Sequence, residues 1–106
     1  MNTKVIDLEP KYLCMIKNIL RDQLGDLGIK VYIFGSRVQG KTKKTSDIDL
    51  ALDNNGNKVD YIDVICKLRE TFEESDIKYS VDILDLNAIT DDFKQNINHD
   101  FVEIVY

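Results

Sequence analysis

Cysteine, histidine and proline are scarce in this chain: two, one and one among 106 residues. Cys14 and Cys66 each sit in a helix-like apolar run with no Cys-x-x-Cys or Cys/His spacing. That argues against a disulfide framework and a zinc site, and reads as reduced, buried thiols in a cytosolic protein. His99 has no partner at ligand or triad spacing and reads as a surface or helix-end residue. No window approaches the roughly 20 apolar residues that span a bilayer. No long apolar stretch follows Met1-Asn2-Thr3-Lys4, so neither an anchor nor a signal peptide is expected, and a cytoplasmic location is. Basic charge is in deficit too. Fourteen Lys and Arg against 19 Asp and Glu leave a net charge of -5, which repels phosphate backbones and argues against nonspecific nucleic-acid binding. Repeats, low-complexity tracts and linkers are also missing, so residues 1–106 read as a single domain.

What is present is an ordinary globular composition, 43% hydrophobic and 31% charged, arranged in clear periods. From Pro10 to Leu27, apolar residues recur at three- and four-residue steps, predicting a one-faced helix that Gly25 and Gly28 stop. Ile29 to Phe34 is β-branched and aromatic and runs into Gly35-Ser36, a strand ending at a turn. Asp47-Ile48-Asp49-Leu50-Ala51-Leu52 alternates acid and apolar residues with the period of a second strand. Tyr61, Ile65, Leu68 and Phe72 line a second long helix, with Asp60 placed to cap it. Tyr79 to Leu86 reads as a third strand, Ile89 to about Ile97 as a helix, and Phe101 to Tyr106 as a terminal strand. The expected fold is α/β (α+β), a small mixed sheet with helices packed on one face.

Three carboxylates stand out. Asp47 and Asp49 lie two apart on one strand, hence on one face with their bases about 7 Å apart, and Asp82 sits at the centre of another strand. Two acids on one face of a core strand repel each other and lose solvation unless a cation binds between them. Hard oxygen ligands suit magnesium, and three carboxylates suffice for a pair of ions about 3.5–4 Å apart that clamps the attacking and leaving oxygens of a phosphoryl transfer. Gly35-Ser36 adds an anion cradle, because a glycine after a strand lets backbone approach a bulky phosphate. Asp85, three residues beyond Asp82, should face the other way. The basic loop of Lys41, Lys43 and Lys44 reads as a solvated loop or as a nucleotide or partner contact, and the residues leave both open.

Gly35-Ser36-Arg37-Val38-x-Gly40, followed by Ser46-Asp47-Ile48-Asp49-Leu50-Ala51, resembles the signature of the DNA polymerase β-like nucleotidyltransferase superfamily. Over essentially its whole length the chain is similar to the minimal nucleotidyltransferases of the MntA antitoxin type, encoded beside a helical HEPN or substrate-binding partner. The resemblance implies that Gly35 and Ser36, with Arg37 and Ser46 beside them, hold the nucleotide triphosphate. It implies that Asp47 and Asp49 ligate two Mg2+ ions and that Asp82 completes the site and helps activate the attacking hydroxyl. Arg37 at the motif's basic position either touches phosphate or braces the turn by pairing with an acid such as Asp47. About two dozen residues follow Asp82, too few for a helical acceptor domain, so a separate protein is expected to supply the acceptor. The implied activity is transfer of AMP from ATP to a hydroxyl of a HEPN toxin. The alternatives are a small-molecule adenylyltransferase completed by a helical partner, or an antitoxin that acts by binding alone.

Overall fold

The computed structural model describes residues 6–25, 27–39, 47–54, 61–88 and 101–106. Helix α1, Pro10–Leu24, begins at the proline whose missing amide hydrogen costs nothing in a first turn. Its buried residues, Tyr12, Ile16, Leu20 and Leu24, fall four apart and form one stripe. The helix ends three residues sooner than the apolar spacing predicts, because Gly25 turns to a positive φ of 44° while its N–H still donates to the Arg21 carbonyl.

Strand β1, Lys30–Phe34, runs into the short helix α2, Ser36–Gln39, through Gly35. Strand β2, Ile48–Asp53, is followed by helix α3, Tyr61–Glu74, then β3, Val81–Asp85, and β4, Val102–Ile104. The sheet order is β3-β2-β1-β4. β1 pairs antiparallel with β2 and β4, whereas β2 and β3 are parallel, with α3 in the crossover between them. The strand bounds agree with the sequence reading to within two residues or so at each end. The helix expected from Ile89 to Ile97 lies outside the described residues, as do His99, Asp60, Gly40, Ser46 and the lysine loop.

Period-two alternation divides the sheet into two unlike faces. Val31 and Ile33 of β1 register with Leu52 and Leu50 of β2; Leu50 registers with Ile83 of β3, and Val31 with Ile104 of β4. These residues pack with Ile16, Leu20 and Leu24 of α1 and Ile65, Leu68 and Phe72 of α3 in one core, so the helices cover this face. On the opposite face Phe34, Asp49 and Asp82 form one row across three strands, and Tyr32, Ala51 and Leu84 the next. The expected mixed sheet with helices on one face is therefore what the chain adopts. At the far end, the Tyr106 hydroxyl donates to the Ile29 carbonyl, and burial pushes this phenol above its usual pKa.

The cysteines correct the sequence reading. Cys14 and Cys66 are both exposed thiols, not buried ones. Cys14 falls midway between Tyr12 and Ile16, on the far side of α1 from its buried stripe, and Cys66 is one residue past the buried Ile65. An apolar neighbourhood in sequence does not fix helical phase. Among the described residues no helix is long and apolar enough to cross a membrane.

Leu50 is fully buried at the crossing of three strands. Leu50→Ala should therefore cost about 2–5 kcal/mol in urea unfolding. Ile62 is 76% exposed on α3, and Ile62→Ala should stay within about 0.5 kcal/mol of the parent. A mild Leu50→Ala would contradict the packing described.

Candidate active site

The open face carries its acids at one end. Asp49 lies on β2 with its side chain directed away from the core residues Ile48 and Leu50 on either side of it. Parallel register places Asp82 of β3 directly beside it, at the spacing of neighbouring strands, about 4.8 Å. Asp47, one residue before β2, is exposed, as is Asp82, whereas Asp49 is half-buried between them. Burial pushes the Asp49 carboxyl above the usual carboxylate range, and the charges of Asp82 and Asp47 push it further. The three acids form one electrostatic cluster. They do not form a closed cage: among the described residues no three His, Cys, Asp or Glu side chains already converge as metal ligands. They are instead a set of hard oxygen donors held at close quarters by backbone register.

Gly35 closes this site from the β1 side. Antiparallel pairing sets Phe34 opposite Asp49, so the turn after β1 falls against the Asp49 carboxylate. A Cβ on Gly35 would lie 2.5 Å from Asp49 Oδ2, and the residue has a φ of +80°. Both conditions demand glycine. Its carbonyl accepts the Val38 N–H at 3.1 Å, which starts the turn of α2 at Ser36. Gly35, Ser36, Asp47, Asp49 and Asp82 thus gather at one end of the sheet.

Two other residues that the sequence reading singled out lie away from the acid row. Arg37 is only 2% exposed, and its described contacts are internal: Nη1 donates to the Asp7 carbonyl at 3.0 Å, and the guanidinium lies over the Tyr79 ring. Of the two roles left open, bracing is the one these contacts fit, with Asp7 and Tyr79 as the braced groups. Asp85 registers with Leu52 and so belongs to the helix-covered face, where its carboxylate accepts the Asn87 N–H at 2.9 Å. That agrees with the expectation that Asp85 is turned away from Asp82.

Sequence reasoning missed two features. Phe34, Tyr32 and Phe101 form an aromatic cluster next to Asp49, with ring centroids of Phe101 5.2 Å from Phe34 and 5.6 Å from Tyr32. A cleft of about 610 Å³ opens beside Asp82 on the outer edge of β3, with Arg69, Phe72, Lys78 and Tyr79 among its walls. Both are assembled from segments distant in sequence, and no local spacing signals them.

The family model for polymerase beta nucleotidyltransferases matches residues 5–105. The chain belongs to this family. It is a nucleotidyltransferase, and a probable protein adenylyltransferase MntA of Haemophilus influenzae is 37% identical over 99 residues, which cover 93% of this chain and 83% of the relative. Two crystal structures are similar in fold, each matching 86% of this chain and 70% of its own. One is the toxin-antitoxin MntA-HpeT with two aspartates, two positions apart, replaced by glutamate, at a TM-score of 0.64 and 25% identity. The other is a toxin-antitoxin with AMP-PNP, at a TM-score of 0.56 and 26% identity.

The raised pKa of Asp49 sets the sign of a pH effect in this nucleotidyltransferase. Between the ordinary value of 3.8 and the raised folded value, the native chain keeps a proton that the unfolded chain has released. The contribution of Asp49 to stability is therefore greatest below 3.8, is lost as pH rises through the folded pKa, and stays at its lowest above it. Asp49→Asn should melt a few degrees higher than the parent at pH 7 without divalent cations, and the difference should vanish towards pH 3. A lower melting temperature at pH 7 would mean that favourable contacts hold the carboxylate.

Proposed function

We propose that this chain transfers AMP from ATP to a hydroxyl of a partner protein, releasing pyrophosphate, and that the partner is a helical HEPN-type toxin for which the chain is the antitoxin. The observation that carries the reading is the Asp49–Asp82 row, with Asp47 two residues from Asp49 and the Gly35 turn closing on Asp49. It is supported by the 37% identity to a probable protein adenylyltransferase and by the likeness to toxin-antitoxin structures, one of them with an ATP analogue. The paired aspartates altered in one of those structures have the spacing of Asp47 and Asp49.

The donor set fits magnesium. Three carboxylates offer only hard oxygens, their repulsion favours a bound cation, and the missing Cβ of Gly35 leaves the Asp49 oxygen room to serve as a ligand. Asp47, Asp49 and Asp82 would hold a pair of Mg2+ ions, which when bound neutralise triphosphate charge and make the acceptor hydroxyl more nucleophilic. Gly35 and Ser36 present the turn that seats the triphosphate, and Ser46 is the further nucleotide contact in this reading. Asp82 stands on the outer strand beside the open cleft, which is the acceptor's side. There it takes the hydroxyl proton as the acceptor oxygen bonds to the α-phosphorus and the bond to pyrophosphate breaks. The buried Arg37 supports the turn from behind.

The test mixes the chain, a HEPN-type partner encoded beside it, ATP and magnesium, and reads the products by mass spectrometry. AMP should appear on a partner hydroxyl and disappear with Asp47→Asn or Asp49→Asn. A partner that stays unmodified while a small molecule gains AMP would transfer the reading to small-molecule adenylylation. Neutralisation of the partner that survives Asp47→Asn with no modification would mean binding alone.

A second comparison separates the two acids of β3. Asp82→Asn should lower the transfer rate on the order of 10²–10³-fold while keeping much of the ATP affinity, since Asp47 and Asp49 remain. Asp85→Asn, on the opposite face, should leave the rate within about twofold. The reverse ranking in steady-state kinetics would contradict the strand register.

A further inference from the structure

Arg37 is the one buried charged side chain among the described residues, and it takes no part in the chemistry above. Its guanidinium carbon lies 4.2 Å from the centroid of the Tyr79 ring. Its Nη1 donates to the Asp7 carbonyl at 3.0 Å, while the Asp7 N–H donates back to the Arg37 carbonyl at 2.7 Å. Tyr79 meets Tyr12 edge-on at 5.5 Å, and its hydroxyl donates to the Glu9 carboxylate at 2.9 Å. One stack thereby joins three segments: the leader of α1, the residue after Ser36, and the loop three residues before Asp82.

The sheet order explains what that stack adds. β2 lies between β1 and β3, so the Gly35 turn and Asp82 share no backbone ladder. On the sheet side they are related only through β2, where the Ile48 N–H donates to the Ser80 carbonyl at 2.8 Å. Arg37 on Tyr79 is a second, direct link between the α2 turn and the approach to β3. A flat guanidinium suits it: the plane lies on the ring while an N–H in that plane reaches the Asp7 carbonyl. A lysine ammonium is a point charge and cannot satisfy both contacts in the same way.

The geometry points to the Arg37–Tyr79 stack as the element that sets the spacing between the phosphate-seating turn and Asp82. Arg37 is then a positioning residue that acts through Tyr79, not on the nucleotide. This inference rests on the roles given above to Gly35 and Asp82. Transfer to an in-line acceptor is sensitive to such spacing, since misplacement by about 1 Å costs on the order of 100-fold in rate.

Tyr79→Leu removes the ring and retains bulk. Assayed well below its melting temperature, it should lower kcat for AMP transfer about 10- to 100-fold with KM for ATP within about twofold. Tyr79→Phe, which keeps the ring and loses the Glu9 hydrogen bond, should recover most of the rate. Arg37→Lys should behave like Tyr79→Leu. Wild-type rates in folded Tyr79→Leu would overturn the inference. So would an Arg37→Lys variant that raises KM for ATP and leaves kcat unchanged, since that places Arg37 on the phosphate. NMR provides a readout independent of turnover: ATP with magnesium should shift the Tyr12 ring protons in the parent and not in Arg37→Lys. If the parent chain transfers no AMP, the proposed function fails. The Tyr12 shift then still decides the stack, its presence in the parent and loss in Arg37→Lys supporting it and its persistence in Arg37→Lys overturning it.

Discussion

Repulsion among three carboxylates is the constraint around which the rest of the molecule is arranged. Asp49 is half-buried with Asp82 beside it and Asp47 close by, and burial first, then these two charges, make its ionised form costly to hold there. The other face of the same strands supplies what offsets that cost. Ile48, Leu50, Leu52 and Ile83 are buried against the helices, and each such side chain contributes about 1.5–3 kcal/mol relative to exposure. Because the strand period is two, β2 gives alternate positions to the core and to the acids. The charged row therefore removes nothing from the packing that stabilises it.

The mixed sheet is what brings chemistry from distant segments to one end. Antiparallel pairing turns the C-terminal end of β1 towards the N-terminal end of β2, so the Gly35 turn falls on Asp49. Parallel pairing of β2 and β3 sets the two N-terminal ends side by side, so Asp82 falls on Asp49 from the other direction. A parallel neighbour requires a crossover, and α3 both makes that crossover and covers the core face. In an all-antiparallel sheet the third acid would have had to sit near the opposite end of its strand. The acid-bearing end of the sheet is also left open, since Asp82 lies on the edge strand with a cleft beside it. In the proposed reaction the acceptor approaches from that side.

Much of this was legible from residue order. Strand and helix positions followed from period-two and period-3.6 patterns, and the pairing of Asp47 with Asp49 followed from their spacing on a strand. That Asp82 and Asp85 lie on opposite faces of their strand followed from parity alone. Helical phase was harder. Cys14 and Cys66 stand in apolar runs, yet both point to solvent because the buried stripes pass through Tyr12, Ile16 and Ile65. Apolar character was correctly read there, and direction was not.

By itself the sequence determined the kind of elements, which acids of one strand share a face and the glycine turn that ends β1, because these depend on interactions within a few residues. Only the tertiary structure decided which strands are neighbours, and hence that Asp82 registers with Asp49. It alone decided that Arg37 is buried over Tyr79, across 41 intervening positions in a contact with no local signature. The motif resemblance left Arg37 between touching phosphate and bracing the turn, and its described contacts are with an aromatic ring and a backbone carbonyl. A guanidinium offers the same donors to either kind of partner, so residue type alone does not place it among these neighbours.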